Sequence, residues 1–179
     1  MSAGRNAETD RVELLRELME AHGNEVLRVV YGYVKDRHAA EDISQDVFVK
    51  VFDHLDSFRQ ESSYRTWIVR IAINRAKDYL RAAARRPISV EDLSSIAGDG
   101  SPERTLLRRH ENDELWNAVM DLPEMYREAV WLFYGRGMSL EEVADATQVS
   151  VGSVKTRLYR ARELLRRTWE GDGDHGRRA

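Results

Sequence analysis

The chain has 179 residues, 42% of them hydrophobic and 33% charged, with a formal net charge of −3, 11 Gly, 3 Pro and no Cys. That is one ordinary domain or two small ones with apolar residues enough for real cores, which excludes fibrous and disordered classes, while the missing cysteine excludes disulfides, thiolate zinc sites and cysteine nucleophiles. There is no long apolar run, and Met1 to Asp10 is polar, so neither a membrane span nor a secretory signal is expected and the default compartment is the cytoplasm.

Few prolines and glycines among long stretches of helix formers predict an all-α chain: two small helical domains joined by a flexible linker. Residues 1–10 are expected to be disordered, and the first domain to span 11–86. Val12, Leu15, Leu18, Met19, Val26, Val29, Val30 and Tyr33 recur at helical spacing, with Gly23 as a candidate break. A second helix is predicted from Ala39 to near Leu55, with Ile43, Val47, Val51, Phe52 and Leu55 on its inner arc. Its outer arc presents Asp42, Gln45, Asp46, Val49 and Asp53. An acidic arc interrupted by one apolar residue is either an ordinary solvated face or a docking surface for a basic protein partner.

After a short loop, Asp56 to Ser62, a third helix is predicted from Ser63 to Arg85. Ile68, Val69, Ala72, Ala76, Tyr79 and Leu80 share its apolar arc. Arg70, Asn74, Lys77 and Arg81 form a narrow polar stripe, which Trp67 continues toward a loop containing Phe58, with Tyr64 close in sequence. Cations follow phosphates and rings stack on bases, so this pattern suits single-stranded nucleic acid; the competing reading makes Phe58, Tyr64 and Trp67 ordinary core aromatics. Pro87 ends the helix, and the small-residue stretch from Ser94 to Pro102 marks a linker across 87–108.

The second domain is expected over 109–169, with breaks at Leu122-Pro123 and at Gly135 and Gly137, and a disordered tail over 170–179. Ser139-Leu140-Glu141-Glu142 has the form of a capping box, placing Leu140, Val143, Ala144 and Thr147 on one face. Gln148-Val149 makes a turn, and Ser150 caps a helix whose inner face carries Val151, Val154, Leu158, Ala161 and Leu165. Two short helices, a tight turn and a polar second helix describe a helix-turn-helix. Gln148 stands where many such units have glycine. The outer face of the second helix carries Ser153, Thr156, Tyr159 and Arg160, flanked by Lys155, with Arg157 adding to its basic character; hydroxyls and guanidinium groups there suit base edges and phosphates.

The net charge conceals how charge is distributed. From Arg59 to Arg86 eight bases face two acids, Glu61 and Asp78, whereas acids gather on the second helix and around the linker. An enzyme finds little support. The five histidines are scattered, no Gly-rich phosphate loop occurs, and Glu41/Asp42 and Glu141/Glu142 are adjacent rather than convergent pairs. Neither catalytic residues, a metal site nor a cofactor is expected. A stand-alone helix-turn-helix regulator explains the second domain equally well but leaves the third-helix stripe without a purpose, and a purely structural helical protein leaves both basic surfaces unexplained.

Together the segments AEDISQDVFVKVFDHLDSF (40–58), YRTWIVRIAINRAKDYLRAAARR (64–86) and DLPEMYREAVWLFYGRGMSLEEVADATQVSVGSVKTRLYRARELLRR (121–167) resemble the extracytoplasmic-function sigma factors of bacterial RNA polymerase, small two-domain members of the sigma-70 family. The resemblance implies a factor that binds core polymerase, through its β′ clamp helices and β flap, and directs it to promoter DNA. By the same resemblance Asp42, Gln45, Asp46 and Val49 face the clamp helices, with Asp53 on the same arc. Phe58 and Asn74 help form a pocket for a base flipped from the melted −10 strand, with Lys77 and Arg81 on the DNA side. Ser153, Lys155, Thr156, Tyr159 and Arg160 belong to the helix that reads the −35 duplex. The loop Arg59 to Ser63 corresponds to a variable specificity element, and an anti-sigma partner is implied.

Overall fold

The computed structural model describes residues 3–85 and 113–172, which contain helices and short connections and no strand. No helix among them is long and apolar enough to cross a membrane. The chain divides into two compact helical units near Arg86. The predicted linker, 87–108, lies outside the described residues.

The first unit contains α1 (Ala3–Val34), α2 (Arg37–His54), a 3₁₀ turn (Leu55–Ser57) and α3 (Tyr64–Ala84). α1 is already helical at Ala3, where a disordered stretch was expected, and it passes Gly23 without a break. Glycine inside a helix costs about 1 kcal/mol relative to alanine. Burying Val26, Val29 and Val30 completely just beyond it outweighs that cost. Val12 and Met19 stay exposed, so the apolar periodicity at the start of α1 outruns the core. The chain turns at Lys35, which takes a left-handed conformation (φ 55°), and Asp36 caps α2 by accepting the Ala39 N–H at 2.7 Å.

The three helices pack around one core. α2 supplies Ala40, Ile43, Val47, Phe48 and Val51, and α3 supplies Trp67, Ile68, Val69, Ala72, Ile73 and Ala76. Phe48 is buried, although the predicted inner arc had Phe52 and not Phe48. Phe52 instead lies half-buried beneath the Arg11 guanidinium, 4.7 Å from its ring centre, and Arg11 also donates to the Phe52 carbonyl at 2.9 Å. A forked pair from Arg65 to Glu25, at 2.7 and 3.0 Å, ties the start of α3 to α1. Tyr79, expected on the apolar arc of α3, is exposed because burial ends at Ala76.

The second unit contains α4 (Asp113–Asp121), α5 (Glu124–Val130), a π turn (Trp131–Gly135), α6 (Leu140–Thr147) and α7 (Val151–Asp172). α7 thus extends into the predicted disordered tail, and residues 173–179 lie outside the described residues. Val119, Leu122, Ala129, Leu132, Met138, Val143, Val154, Leu158 and Ala161 form the core. The π turn accommodates an extra residue before the chain reverses. A Cβ at Gly135 would lie 2.8 Å from the Trp131 ring, and Gly137 takes φ 63°, so both positions suit glycine. Tyr134, projecting from this turn, accepts a hydrogen bond from Arg162 of α7 at 3.1 Å.

The predicted capping box forms reciprocally: the Glu142 N–H donates to Ser139 Oγ at 3.1 Å and the Ser139 N–H to Glu142 Oε2 at 2.8 Å. α6 ends in a Schellman-type turn, with the Val149 N–H bonded to the Ala144 carbonyl at 3.0 Å and Gln148 left-handed at φ 56°. Ser150 Oγ then accepts the Ser153 N–H at 3.1 Å and starts α7. The helix-turn-helix is therefore formed with glutamine held in a conformation that favours glycine. Gln148→Gly is expected to stabilise this unit by about 0.5 kcal/mol, and Ser139→Ala to destabilise it by about 1 kcal/mol, both measured by hydrogen exchange of the α6 amides in the intact chain.

Candidate nucleic-acid interface

Three surfaces follow from how the helices are buried. On α2, Asp42, Gln45, Asp46, Val49 and Asp53 are all exposed, and Val49 is 60% exposed. Ile43, Val47, Phe48 and Val51 take the opposite side into the core, which leaves this arc outward. The arc is not uniformly free: Arg75 of α3 donates to Asp46 Oδ2 at 2.5 Å. In the sequence Arg75 is only one base among eight, because a cross-helix partner has no signature in a linear pattern.

The loop before α3 carries the second surface. Phe58 leaves the 3₁₀ turn, Gln60 takes a left-handed conformation (φ 57°), and Ser63 caps α3 by accepting the Thr66 N–H at 3.1 Å. Phe58 stacks on Tyr64 with ring centres 4.4 Å apart and planes 26° from parallel, and its centre lies 4.8 Å from that of Trp67. The structure thus brings the three aromatics together. Trp67, however, is only 8% exposed, so it does not continue the polar stripe as expected; it belongs to the core and forms the floor of the loop. Tyr64 packs on Phe58 and does not line the opening.

An open pocket of about 140 Å³ lies here, lined by Ser57, Phe58, Arg59, Glu61, Ser62, Trp67 and Arg70. That is below the range of pockets enclosing drug-sized ligands, and its lining offers two aromatic rings, two hydroxyls, two guanidiniums and a carboxylate. Asn74, one turn beyond Arg70, is exposed and outside the lining. Further along, the Lys77 ammonium lies 5.8 Å from the centre of the Tyr33 ring, and Arg81 pairs with Asp78 at 2.9 Å. The stripe is therefore a row of cations and one amide leading away from the pocket.

The third surface is α7. Lys155, Thr156, Tyr159 and Arg160 are exposed on the side away from Val154, Leu158 and Ala161. Thr156 Oγ1 donates to the Gly152 carbonyl at 3.0 Å, while Ser153 Oγ lies 2.9 Å from Ser150 Oγ in the helix cap. Arg157 differs from its expected role. It turns toward α5, where its Nη1 lies 3.4 Å from an oxygen of the buried Glu128 carboxylate, so its charge serves the interior. Its position three residues after the buried Val154 and four before the buried Ala161, hence next to both on the helix surface, carries a signal for this that overall basicity obscures. Among the described residues no cluster of His, Asp or Glu is arranged to hold a metal ion.

Comparison with known proteins places the chain in a family. Residues 18–86 match the Sigma-70 region 2 model and residues 112–165 the Sigma-70, region 4 model. The chain is 35% identical over 158 residues to the RNA polymerase sigma-H factor of Pseudomonas aeruginosa, covering 83% of this chain and 82% of that protein. It is 32% identical to the ECF RNA polymerase sigma-E factor of Haemophilus influenzae, covering 83% of each. Its fold is similar to that of CnrH, solved in complex with the cytosolic domain of CnrY, with a TM-score of 0.65 and 25% identity over 88% of each chain.

A two-unit helical protein with a helix-turn-helix and a cationic, aromatic loop-helix surface is thereby defined as a transcription factor of the initiation class. The chain belongs to the sigma-70 family, as an extracytoplasmic-function sigma factor.

The burial pattern separates the loop aromatics by experiment. Trp67→Ala is expected to cost about 3 kcal/mol or more in urea unfolding, the price of a large buried ring, and Phe58→Ala about half as much. A Trp67 variant as stable as the wild type would place that ring outside the core.

Proposed function

We propose that this sigma factor engages core RNA polymerase through the α2 arc, captures a base of the melted −10 strand at the Phe58 pocket and reads the −35 duplex with α7. The observation that carries the reading is that one compact helical unit presents both an exposed acidic arc and a pocket heading a row of cations. A stand-alone regulator needs neither. Asp42, Gln45, Asp46, Val49 and Asp53 dock on the β′ clamp helices. Val49 supplies apolar contact, and the acids around it steer a basic partner. A further contact of the second unit with the β flap completes the polymerase interface.

In the first unit, extracting a base from the duplex stack costs a few kcal/mol, so a site that binds only the extruded base stabilises the open complex selectively. Phe58 offers a ring for stacking and Asn74 a paired donor and acceptor. Arg70, Lys77 and Arg81 follow the phosphates, while Tyr64 and Trp67 hold Phe58 in place. In the second unit Ser153, Lys155, Thr156, Tyr159 and Arg160 meet the major groove and its phosphates. Arg157 supports α7 from within. The chain forms and breaks no bond itself; the polymerase supplies the chemistry, in the cytoplasm. An anti-sigma partner that covers these surfaces is supported by CnrH, which was solved with a second protein bound.

Phe58→Ala and Asn74→Ala are expected to retain core binding and lose open-complex formation in permanganate footprinting. Strand opening at wild-type levels would remove the pocket from the mechanism. Thr156→Ala and Arg160→Ala are expected to lower run-off transcription from promoters with an intact −35 element, and variants that still respond to −35 changes as the wild type does would refute the α7 assignment.

A further inference from the structure

We propose that Glu61 sets base selectivity at the Phe58 pocket, favouring a base with an exocyclic amine and rejecting thymine. This rests on the reading of that pocket as a base-capture site. Glu61 lines the opening together with Arg59 and Arg70, on the loop whose backbone is turned by the left-handed Gln60 and fixed beyond by the Ser63 cap. It makes no hydrogen bond or ion pair among the described residues, although Arg59 shares the same rim. A carboxylate at the mouth of a DNA-binding pocket repels phosphates and weakens binding unless it is used by something that enters.

What enters must donate. A carboxylate offers acceptor oxygens only, so it bonds the N–H groups of a base and repels its carbonyl oxygens. Cytosine, adenine and guanine each present an exocyclic amine that can meet Glu61 without bringing a second carbonyl toward it. Thymine has no amine, and its single ring N–H lies between two carbonyls. Glu61 thus discriminates against thymine by an unfavourable contact as well as by a lost hydrogen bond, the more effective way to specify a partner. Of the pocket's other polar groups, the Ser62 hydroxyl and the two guanidiniums can donate to a base's acceptors, and the Ser57 hydroxyl already donates to the His54 carbonyl at 2.8 Å, so Glu61 is the one charged acceptor in the lining.

The test is run-off transcription by core polymerase with the full-length factor on a promoter library randomised across the −10 element, comparing wild type with Glu61→Gln, Glu61→Ala and Phe58→Ala. The captured position is the one whose base preference Phe58→Ala flattens. Wild type is expected to disfavour thymine there by about tenfold, the scale of one charge-assisted hydrogen bond. Glu61→Gln and Glu61→Ala are expected to remove that bias at this position alone, because glutamine both donates and accepts. If a position responds to Phe58→Ala but keeps its thymine bias in both Glu61 variants, or if wild type prefers thymine there, Glu61 is only a solvated rim charge. If no −10 position responds to Phe58→Ala, the base-capture reading itself fails and the selectivity proposal with it.

Discussion

Burial of one arc of α3 fixes nearly everything the first unit presents to solvent. Thr66, Trp67, Ile68, Val69, Ala72, Ile73 and Ala76 are buried against the neighbouring helices. Each large apolar side chain among them is worth about 1.5–3 kcal/mol, whereas an exposed ion pair on the same helix is worth at most about 1 kcal/mol. A rotation of α3 that improved any surface contact would expose part of this arc and lose. The azimuth of Arg70, Asn74, Lys77 and Arg81 is therefore dictated from beneath, and a residue of the cationic row needs no partner of its own to hold its direction. Trp67 makes the link explicit, since the ring that anchors the helix start also backs the pocket.

The same logic orders the charges. A net charge of −3 averages over acidic and basic stretches that the sequence keeps apart. Where opposite charges do meet across helices, as in Arg65 with Glu25 and Arg75 with Asp46, they join elements already held by apolar packing. The Arg75 pair changes how the α2 arc is understood. Asp46 is part of an acidic face by sequence, but in the folded unit its charge is partly answered from α3, leaving Asp42 and Asp53 as the less compensated carboxylates of the arc.

What the sequence made legible was set by local rules. Helical periodicity located α2 and α3 to within a few residues, and the capping signals at Ser139 and Ser150 are each realised as hydrogen bonds. The exposed arcs on α2 and α7 were legible because a buried face determines its opposite. Long-range facts escaped. Nothing in a linear pattern tells whether an aromatic beside a polar stripe points inward, so Trp67 reads as part of the stripe and lies in the core. The Arg157 pair with Glu128 and the Arg75 pair with Asp46 span 29 residues each and depend on which helices pack together. The early helical start of α1 likewise escaped, because low hydrophobicity near the terminus reads as disorder when the helix is propagated from a packed segment downstream.

The π turn at Trp131–Gly135 behaves as a one-residue insertion absorbed within a helix, since such a turn adds a residue to the local register without ending the element. Everything after it is displaced along the chain by that residue. The bond between Tyr134 and Arg162 spans the displacement, because it joins the widened turn to α7. Deleting one residue here would restore ordinary helical register and swing Tyr134 by roughly 100° away from Arg162. The length of this turn, more than the chemistry of any side chain in it, thus acts as a spacer, and insertions and deletions should be tolerated far less well there than in the exposed ends of the helices.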